Sequence, residues 1–441
     1  MKKFLFFILL NVFTLLVFAQ DIDYAREVID NLCSKDMFGR GYINAGDKKA
    51  AYYIENEFKK FNILPYEFTT GTMGSQEGRT VKKYQQEFKI KVNAFPGDVL
   101  LSIDQQPLKV GEDFLVAPNS GPIESIELDL VYLNKKALKD ESSFDAFLSD
   151  DYTAECLVVD MAVFQEYQDN AFFPRVLKNE MRANAIMLLV EGDLMWGVAN
   201  TFDKFPTFIV KKSKMPKKAL TAEVKLDTKF YYDYLTQNVI GVIKGKKYPD
   251  KYILIGAHYD HLGMLGKEIF FPGANDNASG VAMMLDLAKY FSDVFNQPDY
   301  SLMFVGFGAE EAGLLGSMYF VENPPVPLTS IRLMLNLDML STGEGGIMVV
   351  NTKGNSGDFN TMKTINSKKQ YFPELGSRPE AAISDHHSFH VKKVPSLYIY
   401  LQGDPAKNYY YHGIGDVPSN ISLSAYIPAF KLIADLIAEL K

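Results

Sequence analysis

Tyr252-Ile253-Leu254-Ile255-Gly256-Ala257-His258-Tyr259-Asp260 is an apolar run closing in a polar cluster, and Pro272-Gly273-Ala274-Asn275-Asp276-Asn277-Ala278-Ser279-Gly280 follows it. The first stretch reads as a buried strand. Side chains along a strand alternate with period two, so His258 and Asp260 share a side and Tyr259 faces away. A ligand histidine needs a partner for its second ring nitrogen, and Asp260 is placed to supply one to His258. The second stretch reads as a tight turn that opens a helix over Val281–Phe291 and presents Asp276 at its mouth.

Downstream, a strand over Ser301–Phe307, a helix over Gly313–Glu322, a strand over Ile331–Leu337, a buried strand over Val394–Leu401 and an amphipathic helix over Ser424–Leu440 are expected. This alternation predicts an α/β fold, a mixed and mostly parallel sheet flanked by helices on both faces. The polar stretch Asn351–Glu380 reads as a surface excursion. Upstream, Gln237–Lys244 reads as strand, turn and strand. Two helices are predicted within Asp23–Phe61, from the spacing of Ile22, Ala25, Val28, Ile29 and Leu32 and of Ala51, Ile54, Phe58 and Phe61. Arg40, in the loop between them, is expected to form a structural ion pair.

From about Phe95 to Asp233 the texture changes to short strand-like runs at Val99–Ile103, Ile126–Leu133, Leu157–Val158 and Ala185–Val190, with a helix expected over Leu177–Ala185. The region holds no histidine. It reads as a second, β-rich domain inserted into the first, giving residues 95–233 as the insert and 20–94 with 234–441 as the main domain.

All six histidines lie beyond residue 257. The candidate ligands are His258, Asp276, Glu311, Asp338 and His412. Two imidazoles and three carboxylates suit a pair of Zn²⁺ ions sharing one carboxylate, and three carboxylates with one hydroxide balance two dications. Glu310 and Glu311 follow a strand at the carboxyl end, where open α/β sheets build their sites. Neighbours at such a turn point apart, so Glu311 is assigned to metal and Glu310 to proton transfer, base first and acid second.

These segments, taken in order over about Asn238–Asn420, resemble the M28 family of co-catalytic zinc exopeptidases. The likeness rests on His258–Asp260, Asp276–Asn277, Glu310–Glu311, Asn336–Met339 and Tyr411–His412, with Asp416 beyond. The resemblance implies the zinc-exopeptidase, phosphorylase/hydrolase-like fold and two Zn²⁺ per chain, bridged by Asp276. It implies a bridging water as nucleophile, Glu310 as the catalytic carboxylate, Tyr411 as a donor to the developing oxyanion, and a cis peptide after Asp276. Ser384–Asp385–His386 matches a recurring family segment, which places Asp385, with Asp416, behind the ligands. His261, His387 and His390 match nothing assigned in the family and are expected to be surface or core histidines.

More loosely, Arg182–Ala185 and Phe205–Ile209 in the insert resemble a protease-associated (PA) domain, a module that covers or shapes the cleft. The implied activity is an aminopeptidase acting on peptides. Carboxypeptidase action, a glutaminyl cyclase-type acyl transfer on the same fold and a non-catalytic homologue stay open at this point. Gly306–Phe307–Gly308 begins like a dinucleotide fingerprint, but Glu311 stands in the third glycine's place.

The 441 residues carry a formal charge of −8 and no long basic run, which argues against nucleic acid as a partner. Lys2 and Lys3 precede an apolar segment over Phe4–Phe18, the pattern of a cleaved secretory leader over residues 1–19, so a secreted or periplasmic location and no stable membrane span are expected. Cys33 and Cys156 are too few for a disulfide framework.

Overall fold

A computed structural model describes residues 22–69, 80–166, 172–404 and 410–440; the expected leader lies outside them. A ten-stranded sheet forms the main body. Nine of its strands run, from one edge, in the order Leu375–Arg378, Gly346–Val350, Ser396–Gln402, Ile331–Leu337, Tyr248–His258, Tyr300–Phe307, Lys229–Ile243, Leu64–Thr69 and Thr80–Lys83, and the tenth, Gln85–Ala94, pairs with Lys229–Ile243. The four central strands, Ser396–Gln402 through Tyr300–Phe307, run parallel. The flanking strands Gly346–Val350 and Lys229–Ile243 are antiparallel to their inner neighbours.

The period-two pattern of the opening stretch sorts its side chains between two layers. Ile253, Ile255 and Ala257 pack with the helices Ile22–Leu32, Gly46–Lys60, Ser279–Ser292, Ser356–Lys369 and Tyr426–Glu439. Leu254 faces the other way, toward Phe320 and Phe389 on the short helices Leu315–Glu322 and His386–Val391. Every residue of Tyr300–Phe307 is buried, as expected of a central parallel strand covered on both faces.

A second sheet of eight strands draws on residues 99–226, in the order Gln106–Pro107, Val99–Ile103, Thr221–Leu226, Ile123–Tyr132, Glu155–Asp160, Ala185–Val190, Thr207–Lys211 and Phe114–Val116. Its core also takes in Leu262, Leu265 and Phe271, which belong to the segment joining the two stretches quoted first. Among the described residues, no helix is long and apolar enough to cross a membrane. Cys33 and Cys156 are both free and lie in separate cores.

Several expectations need correction. Gln237–Lys244 contains no turn: Lys229–Ile243 is one long strand. Gly241 sits inside it because a Cβ there would run into Phe58 and Ile63, so the glycine marks a close helix approach. The boundary drawn at residue 233 falls within this strand, whose first half pairs with Gln85–Ala94. The helix placed at Leu177–Ala185 lies earlier, at Phe172–Leu177. The excursion Asn351–Glu380 holds the helix Ser356–Lys369 and the edge strand Leu375–Arg378. Polar residues on an exposed helix face and an edge strand hid the periodicity of both.

Among the described residues, Arg40 makes no ion pair with a carboxylate; it is a clamp on carbonyls. Fully buried, it donates through Nε to Tyr259 O (2.8 Å), through Nη1 to Leu32 O (3.1 Å) and Pro272 O (2.5 Å), and through Nη2 to Gly273 O (2.9 Å) and Asp276 O (3.2 Å). The fork thereby uses all of its N–H donors. It ties the end of the first helix to both stretches that carry the site.

Candidate metal centre

Three carboxyl ends of parallel strands, one helix mouth and the segment holding Tyr411 and His412 come together around Asp276. His258 closes its strand, Glu310 and Glu311 follow Tyr300–Phe307, Asp338 follows Ile331–Leu337, and the chain beyond Ser396–Gln402 returns to Tyr411 and His412. Asp276 comes from the turn before the helix Ser279–Ser292. Asn277 locks that turn: its Nδ2 donates to Leu337 O (3.0 Å) and its Oδ1 accepts from Gly280 N (2.9 Å) and Met339 N (3.1 Å). A Cβ on Gly280 would strike the Asn277 side chain and the Leu337 carbonyl, so the residue must be glycine. The Asp276–Asn277 bond is cis. Asp416 caps the turn from beneath, accepting from Asn275 N at 2.8 Å and Asp276 N at 3.1 Å.

The two carboxylate oxygens of Asp276 face two different imidazoles. Oδ1 lies 3.3 Å from His258 Nε2, which is itself 3.4 Å from Asp338 Oδ1. Oδ2 lies 3.2 Å from His412 Nε2, which is 3.4 Å from Glu311 Oε2. The centre thus divides into two halves, His258 with Asp338 and His412 with Glu311, joined by Asp276. Glu310 groups with His258 and Asp338, with candidate ligand atoms within 4.8 Å of one another.

The donor set fits divalent cations. Asp338 Oδ1 is buried without a hydrogen-bond partner in the protein, an arrangement that is costly unless a cation meets it. The same acid-rich pocket holds the His258 imidazole well above its usual range, despite burial, through Glu310 and Asp338. It raises His412, also against burial, to about 9 through the bond to Asp276. Burial alone would push the Asp276 carboxyl up, but its bonds to the two imidazoles hold it well below the usual range. The pocket therefore demands positive charge, and the Nε2 atoms and carboxylate oxygens converge where borderline N/O-seeking ions are held.

Asp260 does a different task from the one expected. The partner of His258 Nδ1 is the Asp260 carbonyl at 3.2 Å, while the carboxylate stands off at 3.9 Å. That carboxylate accepts from the backbone N–H groups of Glu310 (3.0 Å) and Glu311 (3.3 Å) and from the Tyr42 hydroxyl (3.3 Å). It holds the Glu310–Glu311 turn rather than the imidazole. The period-two argument put it on the correct side but could not see that the chain leaves the strand after His258. Burial raises Asp260 to about 7, and drives the Glu310 carboxyl well above its usual range.

Tyr411 is half exposed, and its ring stacks on His412 with centroids 4.0 Å apart. In the segment Ser384–His386, the residue touching a ligand is Ser384, whose Oγ donates to Asp338 Oδ2 at 2.8 Å and accepts from Asn336 Nδ2 at 2.7 Å. Asp385 is wholly buried, and burial raises its carboxyl to about 7. His387 pairs with Glu380 and His390 contacts Asn351, both away from the centre. His261 is the residue the sequence reading missed: fully buried, it bonds Glu311 Oε1 through Nδ1 at 2.7 Å. Its place directly after His258-Tyr259-Asp260 was the available signal.

Residues 238–437 match the model of peptidase family M28. That matched part, which holds every candidate ligand, is similar to that family. Among curated relatives, the chain is 30% identical over 242 residues to aminopeptidase YwaD of Bacillus subtilis (strain 168), covering 53% of this chain and 51% of the relative. It is 28% identical over 237 residues to the probable aminopeptidase YDR415C of Saccharomyces cerevisiae, covering 51% and 62%. The chain spans about half the length of the first of these relatives. Two solved structures share the fold across both sheets. One is BSAP, a zinc aminopeptidase from Bacillus subtilis (TM-score 0.66, 22% identity, 95% of this chain and 94% of that one). The other is an aminopeptidase from Aneurinibacillus sp. strain AM-1 (TM-score 0.63, 22% identity, 95% and 93%).

Proposed function

We propose that this chain is an M28-type zinc aminopeptidase that binds two Zn²⁺ and removes N-terminal residues from peptides. The observation that carries the reading is Asp276, one carboxylate whose two oxygens each face a separate imidazole–carboxylate pair. His258, Asp276 and Asp338 would hold one ion, and His412, Asp276 and Glu311 the other. When bound, such a pair polarises a peptide carbonyl and lowers the pKa of water between the ions.

The chain's own residues supply the proton traffic. Glu310, beside His258 and Asp338 but left out of the bridging pattern, takes a proton from the attacking water and returns it to the departing amine. Asp260 fixes its position by accepting the Glu310 N–H. Tyr411, whose ring stacks on His412, would donate to the developing oxyanion. The leader over residues 1–19 and the PA-like insert belong to the same reading, which has the enzyme acting outside the cytoplasm.

A panel of aminoacyl substrates with free and blocked amino groups, assayed before and after chelation, tests it. Cleavage restricted to free-amino substrates, lost on chelation and restored by Zn²⁺, is expected. Turnover of blocked substrates only, or cyclisation of N-terminal glutamine without hydrolysis, overturns it.

A further inference from the structure

Each imidazole of the centre is held at Nδ1 by a backbone carbonyl, but from very different places. His258 is held by Asp260, two residues along the chain. His412 is held by Trp196, 216 positions away in sequence, at 2.9 Å. Trp196 N–H returns a bond to the His412 carbonyl, also at 2.9 Å. Trp196 lies between the strands Ala185–Val190 and Thr207–Lys211 of the eight-stranded sheet.

We infer that the irregular strap 194–200 of the second sheet is a working part of the metal centre: the Trp196 carbonyl is the positioning group for His412, so one of the two metal positions exists only while that sheet is docked. This rests on the two-ion reading above. A carbonyl accepting from Nδ1–H fixes the tautomer that leaves the Nε2 lone pair free to ligate, and Nε2 is the atom facing Asp276 and Glu311.

The strap is itself built to hold that carbonyl still. The Trp196 indole is 6% exposed, stacks on Phe271 with centroids 4.7 Å apart, leans on Phe95 at 5.8 Å and donates through Nε1 to Val116 O at 2.9 Å. Four residues on, Asn200 Nδ2 donates to Ala312 O at 3.2 Å, directly behind Glu310 and Glu311. Ala199 O accepts from Asn93 N at 2.9 Å. The strap therefore touches both protein segments of the His412–Glu311 half of the centre. Among the described residues, no bond from it reaches His258, Asp338 or their neighbours.

The consequence is an asymmetry between the two positions. Loosening the strap should weaken the ion held by His412 and Glu311 and leave the one held by His258 and Asp338 in place. The test is Zn²⁺ titration of the metal-free full-length chain by calorimetry, with Co²⁺ absorption spectra as a parallel readout of ligand geometry. Trp196→Ala is expected to weaken the binding event that His412→Ala removes, called the second here, by about 10–100-fold, the usual worth of an outer-shell partner, with the other, the first, unchanged. Trp196→Leu, which fills most of the same apolar space, covers the case in which the alanine variant does not fold, and should show the same selective loss. Trp196→Phe, which keeps the ring, should restore the second event. In His412→Ala, which lacks that event, Trp196→Leu should have no further effect on metal uptake.

Equal weakening of both events, or a second event unmoved by Trp196→Leu, overturns the inference. A parent protein that takes up a single ion overturns the two-ion reading and this inference with it, whereas two events with no selectivity overturn the inference alone.

Discussion

Arg40→Lys is a sharp probe of how the site is held, because it keeps the charge and changes the number of donors. Arginine here spends five N–H groups on the carbonyls of Tyr259, Leu32, Pro272, Gly273 and Asp276. A lysine ammonium has three, all on one atom, so at least two buried carbonyls lose their donor. An unsatisfied buried polar group costs about 1–3 kcal/mol, which sets the expected destabilisation at about 2–6 kcal/mol. Against a typical stability of about 5–15 kcal/mol, that is severe. Urea unfolding of the metal-free protein measures it, with no contribution from ion binding. Far-UV ellipticity reports the whole chain, and the single tryptophan, Trp196, reports the junction of the two sheets. Because Pro272 and Gly273 belong to the turn that carries Asp276, zinc affinity should fall as well. A change below about 1 kcal/mol with zinc affinity intact would refute the clamp, since such a value fits an exposed arginine making one replaceable contact.

Glu310→Gln should lower kcat by about 10²–10⁴ while atomic emission still finds the parental zinc content; loss of metal would show that Glu310 is a ligand. His261→Phe, which frees Glu311 Oε1, should weaken zinc binding by about 10–100-fold in a chelator competition, with His261→Gln recovering part of the loss. Asp47 gives a pH prediction. Burial raises its carboxyl to about 6, although the Tyr234 and Thr236 hydroxyls that bond it pull the other way. A raised folded-state value means its stabilising contribution is complete below about pH 4, the unfolded range, and is lost as pH rises through about 6. Relative to the parent, Asp47→Asn should therefore gain about 3 kcal/mol between pH 4 and pH 7, read from urea midpoints; a flat difference across that range would contradict the buried-carboxyl account.

The sequence by itself determined the alternation of strands and helices and the identity of the site-bearing segments. The reason is local: Tyr252–Ile255 and Ser301–Phe307 are apolar runs cut off by polar residues, and a parallel strand that ends in Glu or Asp at its carboxyl end announces itself without its neighbours. Gly241, by contrast, looked like a turn because its meaning lies in Phe58, a residue on another element. What holds each ligand was decided only by the tertiary structure. Asp260 was assigned to an imidazole two residues away, whereas its carboxylate serves two N–H groups fifty residues on. Arg40 was given an anionic partner, yet five carbonyls satisfy it, and backbone carbonyls leave no trace in residue type. Trp196 carried no ligand signature and His261 only its place beside His258-Tyr259-Asp260, because a group that orients a ligand needs only one donor or acceptor in the right place. Side-chain chemistry is written along the chain, but the backbone groups that position it are the same at every residue, so only their arrangement in space tells them apart.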